Sequence, residues 1–143
     1  MLLGEYQHSI DEKGRMAVPA KFRKLLSSGV VVTKGLDGCL YLYPMDEWTK
    51  LAEKLAALPI SQANTRAFAR LMLAGAMEAP VDGQGRIMIP DYLRKYASIG
   101  KSAVVAGLFN RIEIWDESLW EKYRKETEQE SGQIAEQLGS LGV

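Results

Sequence analysis

The chain has 143 residues, 47% of them apolar and 25% charged, which suits one packed core or two small associated halves. Its 18 basic residues balance 18 acidic ones, which argues against indiscriminate coating of nucleic acid but leaves room for a locally basic face. The single cysteine, Cys39, excludes an intrachain disulfide, Met1–Glu5 does not open a signal peptide, and no run nears the roughly 20 apolar residues that span a bilayer. A soluble cytoplasmic protein, without membrane association, is expected.

In chain order, Tyr6, His8 and Ile10 alternate with polar residues and predict a strand, with Met16 and Val18 on its return. Between them Asp11-Glu-Lys-Gly-Arg15 reads as a tight turn. Pro19 then opens a short helix over Ala20–Leu26, where its missing N–H costs nothing. Strands follow at Val30–Lys34 and Cys39–Tyr43, around a turn at Leu36-Asp-Gly38. Asp46 is expected to cap a helix that runs to about Ala57 and ends at Pro59; Ser61 is expected to cap a second that stops near Gly75. A second turn, Asp82-Gly-Gln-Gly-Arg86, precedes Pro90, a helix over Asp91–Tyr96, and strands at Ala103–Ala106 and Arg111–Trp115. Asp116 is expected to cap a final helix from Glu117 to about Leu138, and residues 139–143 to fray. Trp48 and Trp120 read as packing anchors, His8 as a structural histidine and Cys39 as an inert thiol.

These elements form two copies of one unit. Asp11, Gly14, Arg15 and Pro19 recur 71 residues later as Asp82, Gly85, Arg86 and Pro90, and Arg23-Lys24 as Arg94-Lys95. After a one-residue slip, Gly35, Leu40, Leu42 and Trp48 recur as Gly107, Ile112, Ile114 and Trp120. The division expected is 5–48 for the first half-domain, 49–75 for a helical linker, 76–120 for the second half-domain and 121–143 for a terminal helix and tail. A unit of four short strands and one helical turn is too small for its own core, so two copies should intertwine.

Charge is segregated along the chain. Residues 11–24 carry a balance of +3, residues 82–95 of +1 and residues 113–136 of −5. With one histidine and one cysteine there is no metal-ligand spacing, and no phosphate loop, nucleophile elbow or dinucleotide fingerprint appears. No enzyme, metal, cofactor or small-molecule substrate is expected.

The paired D-x-x-x-R turns, each followed by proline and a short helix, together with the opening run Gly4-Glu-Tyr-Gln-His-Ser-Ile-Asp-Glu-Lys-Gly-Arg-Met-Ala-Val-Pro-Ala-Lys-Phe-Arg23, resemble the MraZ family over nearly the whole chain. That resemblance implies two swapped-hairpin half-domains of the AbrB/SpoVT type. They would form a mainly β, double-psi-like barrel with added helices. It further implies a ring-shaped homo-oligomer, associated with the nucleoid, that binds repeated promoter elements of a cell-division and cell-wall gene cluster and regulates it. The family's turn residues carry over to Asp11 and Arg15, and to Asp82 and Arg86.

On this reading Arg15 contacts a base, its fork matching guanine O6 and N7. Lys13, Lys21, Arg23 and Lys24 sit on phosphates of double-stranded DNA, the plainer alternative for the last three being a solvated helix face; Asp11 orients Arg15, caps the turn, or accepts from a cytosine amino group. The second turn lacks a lysine, so DNA reading is expected to fall mainly on the first copy. The alternative is a ring-forming protein-interaction scaffold or an antitoxin-like module.

Overall fold

The computed structural model describes residues Met1–Val143 and places strands where apolar side chains alternate or run together. In the first repeat these are β1 (Leu2–Ser9), β2 (Arg15–Ala17), β3 (Val30–Lys34) and β4 (Leu40–Pro44). In the second they are β5 (Met77–Ala79), β6 (Arg86–Met88), β7 (Ser102–Phe109) and β8 (Ile112–Asp116). Helices α1 (Met45–Ala56) and α2 (Ala63–Ala69) join the repeats, with a π-helical turn over Arg70–Ala74 before Gly75. Then come α3 (Asp91–Tyr96), α4 (Glu117–Gln129) and α5 (Ser131–Gln137). Single 3₁₀ turns lie at Ala20–Phe22 and Gly139–Leu141, so the segment expected to fray is a helical turn.

All strand pairing is antiparallel. Six strands form one sheet in the order β1-β7-β8-β4-β3-β5, and β2 pairs with β6 in a separate ribbon. The order is palindromic between the copies. Each repeat's opening strand pairs with a strand of the other repeat: β1 with β7, and β5 with β3. A pseudo-twofold axis can be read from the register. Met16 faces Ile87, its own equivalent, and Tyr41 faces Glu113, again its equivalent, while Leu40↔Ile114 and Leu42↔Ile112 exchange places around that centre.

Two expectations need correction. More residues lie in helices than in strands, so the fold is mixed α and β, not mainly β. The pairings also do not close into a barrel, because β1 and β5 remain edges of the sheet. Just past the end of β1, the ribbon is joined to it by the isolated Ile10↔Met16 bridge and by the Asp11 N–H donating to the Arg15 carbonyl. Pro19 and Pro90, which lack an N–H, end the ribbon strands after three residues and leave them too short to zip onto a sheet edge.

The core lies between the sheet and the ribbon and draws almost evenly on both copies. Met16, Val18, Phe22 and Leu26 are buried beside their equivalents Ile87, Ile89, Leu93 and Ala97, with Val30, Val32, Leu40, Val105, Ile112 and Ile114 from the sheet. Each large apolar side chain so buried contributes about 1.5–3 kcal/mol. The Tyr96 hydroxyl donates to the Gly35 carbonyl at 2.7 Å, and Tyr92 to that of Gly75 at 2.9 Å, so α3 is stapled to segments outside its own repeat. The tryptophans anchor helices: Trp48 packs on Tyr43 at 5.9 Å, and Trp120 on Trp115 at 5.6 Å, its indole N–H donating to Glu5. Cys39 is buried, its thiol bonded to the Leu36 carbonyl and pushed up to about 12 by burial.

Candidate nucleic-acid interface

The two D-x-x-x-R turns have the same construction. In the first, Asp11 Oδ1 accepts from the backbone N–H of Lys13 at 3.0 Å and of Arg15 at 2.9 Å, and Oδ2 accepts from Arg15 Nε at 2.6 Å. In the second, Asp82 Oδ1 accepts from Gln84 and Arg86 at 2.8 and 2.9 Å, and Oδ2 from Arg86 Nε at 3.0 Å. Gly14 and Gly85 close the turns at φ of 84° and 74°, a region that favours glycine. The spacing of four is therefore functional in the mechanical sense. One carboxylate satisfies two turn amides and holds the arginine by Nε, leaving the fork's terminal nitrogens outside that pair. The backbone N–H of Arg15, and likewise of Arg86, is the main reason each aspartate stays ionised below its ordinary range.

The ribbon brings the two arginines together. Met16 and Ile87 point into the core, so their neighbours Arg15, Ala17, Arg86 and Met88 share the outer face. Arg15 and Arg86, with side chains about one-third exposed, lie diagonally across it and both line a depression of about 230 Å³ together with Asp82. Met77, Glu78, Pro80 and Met88, which the sequence did not single out, line it too. No motif marks them, because they reach this face only through strand pairing. The expected difference between the copies is thus one of charge, Lys13 against Gln84, and not of geometry.

The other candidate cations are placed differently. Lys13 is exposed on the first turn, and Lys21 and Lys24 are exposed around the 3₁₀ turn. Arg23 is exposed, but its Nε donates to the Val18 carbonyl at 3.2 Å and its guanidinium lies against Gly85 of the second turn. Arg94 is its counterpart, donating to the Ile89 carbonyl at 3.0 Å and lying against Gly14 of the first. Sequence reading noticed Arg94 only as a match to Arg23.

The family model described as "MraZ protein, putative antitoxin-like" matches twice, over residues 1–71 and 72–139. The chain belongs to the MraZ family. Both matched halves include the helices that follow their strands, and the double match shows the internal repeat. A relative from Desulfitobacterium hafniense is 49% identical over 143 residues, covering 100% of both chains. Relatives from Caldanaerobacter subterraneus subsp. tengcongensis and from Pediococcus pentosaceus are each 48% identical with the same full coverage. All three carry the name "Transcriptional regulator MraZ".

Proposed function

We propose that this MraZ-family chain regulates transcription by binding double-stranded DNA with the outer face of the β2–β6 ribbon. The observation that carries this reading is the presentation of two identically built arginine turns, Arg15 and Arg86, side by side on one face. The names of its relatives point the same way.

A two-stranded ribbon fits the major groove. Arg15 reads guanine, held in register by Asp11, and Arg86 does the same with Asp82, each contact worth roughly 1–3 kcal/mol of discrimination. Lys13, Lys21 and Lys24 are exposed and take phosphates, as do the terminal nitrogens of Arg23. Lys13 makes the first turn the stronger of the two. The crossing of opening strands between repeats supports reading the half-domains as swapped hairpins.

So few cations per chain give weak binding alone. A ring-shaped homo-oligomer, nucleoid-associated and engaging repeated promoter elements of a cell-division and cell-wall gene cluster, would gain roughly 10²–10⁴ by avidity. Fluorescence anisotropy on a duplex from upstream of the protein's own gene, at two salt concentrations, tests this. Wild type should bind in a salt-sensitive way, and Arg15→Ala should weaken binding by roughly tenfold or more with unchanged circular dichroism. Equal binding by both proteins would move the contact to a different DNA-binding face, and none by either would move the function to a protein-interaction scaffold.

A further inference from the structure

Arg23 and Arg94 occupy equivalent places in the two repeats, yet each lies against the turn of the other. A Cβ built on Gly14 would lie 2.5 Å from the Ile89 carbonyl oxygen and 3.0 Å from both Nε and Cζ of Arg94. A Cβ on Gly85 would lie 2.5 Å from Arg23 Nε and 2.7 Å from its Cζ. The backbone crosses in the same sense. Ile89 N–H donates to the Gly14 carbonyl, and Val18 N–H to that of Gly85, both at 2.8 Å. Arg94 Nε then grips the Ile89 carbonyl, and Arg23 Nε the Val18 carbonyl.

We infer that each D-x-x-x-R turn is set by an arginine of the opposite repeat: Arg94 positions the turn that carries Arg15, and Arg23 the turn that carries Arg86. The physical chain is short. Gly14 directly precedes Arg15, and its carbonyl hangs on Ile89, whose own carbonyl is held by Arg94. The guanidinium plane also fills the space beside Gly14 where a side chain would stand, which blocks the turn from folding back. Without that fork, Arg15 keeps its bonds to Asp11 and its pairing opposite Met88, but the Ile89 carbonyl beside its turn is no longer held. Arg94 is thus a positioning residue that needs no contact with DNA. Its role in recognition rests on the function proposed above, but its hold on the turn does not.

The test uses the full chain with Arg94→Met and Arg23→Met, which keep the apolar stem and remove the fork. Hydrogen exchange is read on the peptides spanning residues 11–16 and 82–87. Arg94→Met should speed exchange in 11–16 by roughly three- to tenfold, the range for loss of one hydrogen bond, and leave 82–87 unchanged; Arg23→Met should do the reverse. Acceleration in each variant's own repeat, in both turns equally, or in neither overturns the inference. A double-mutant cycle adds a readout that mere destabilisation would not move. On DNA, Arg94→Met should cost affinity in wild type and nothing further in Arg15→Ala, while remaining additive with Arg86→Ala. Additivity with Arg15→Ala would overturn the functional half. Absence of any DNA binding by wild type would sink the proposed function and leave the exchange result to decide the crossed restraint.

Discussion

Asp11 and Asp82 do at residue scale what a longer loop would need several side chains to do. Each accepts two turn amides and an arginine Nε, and each is most stable ionised. His8 works in the opposite sense. It is half-buried on β1, and burial, assisted by the charge of Arg23, pushes its imidazole below the ordinary 6.5. The unfolded chain therefore takes up the His8 proton first as pH falls. Stability that is complete above 6.5 is lost as pH falls through the lower folded value. The aspartates add a second step: their contribution is present above 3.8 and lost as pH falls through their depressed folded values. Urea midpoints followed against pH should show both steps. His8→Gln should erase the upper one and keep the lower, since this is the chain's one histidine; persistence of the upper step in that variant would disprove the assignment. The spacing of Asp and Arg was enough to see these turns in the sequence. It was not enough to see Arg94 against Gly14, because the repeat pattern reports equivalence within copies and is silent on which copy touches which.

At the scale of elements, the helix starts show how a repeat can mislead. Asp116 caps α4 as expected, accepting from the Ser118 and Leu119 N–H groups through Oδ2 while Oδ1 accepts from Gly100 at 3.1 Å. The equivalent position in the first repeat is Pro44, not Asp46. Strand β4 runs to Pro44 and α1 begins at Met45, so Asp46 falls in the first turn, where its charge meets the helix dipole without capping. Ser61 is likewise not a cap, because α2 starts at Ala63 behind Gln62. Laying the second copy over the first would have pointed to position 44. Asp116→Ala should cost about 1 kcal/mol, readable as a lowered urea midpoint with the slope unchanged; a neutral result would mean that the Trp120–Trp115 packing alone fixes the start of α4. The bounds expected for β3, β4 and β8 held to within a residue or so, whereas β1 and β7 extend further than expected, to Leu2 and to Phe109. Their outer residues pair with each other, and no hydrophobic periodicity marks a partner from another repeat.

At the scale of the molecule, the two copies were visible in sequence, and their need to share a core followed from size alone. The open sheet was not visible, because pairing order depends on which edges the prolines leave free. The sharing has a direct test. In a fragment of residues 1–71, β1 has lost β7, β2 has lost β6 and β4 has lost β8, leaving only the β3–β4 hairpin with both strands present. As a monomer that fragment should show no cooperative unfolding transition. Any folded form should sediment as a dimer in which a second copy stands in for the missing half, as the pseudo-twofold axis allows. A cooperatively folded monomer would show that the first repeat carries its own core.

The pairing of Leu2 with Phe109 also governs how the chain is made. β1 leaves the ribosome long before its partner β7, with five strands and three α-helices between them. Until then the nascent β1 has nothing to hydrogen-bond within its own chain, and an unpaired strand is where growing chains stick to one another. Glu5, Gln7 and Ser9, exposed along β1, keep that waiting strand polar on one side. Closure of the sheet at this edge thus waits for the arrival of β7.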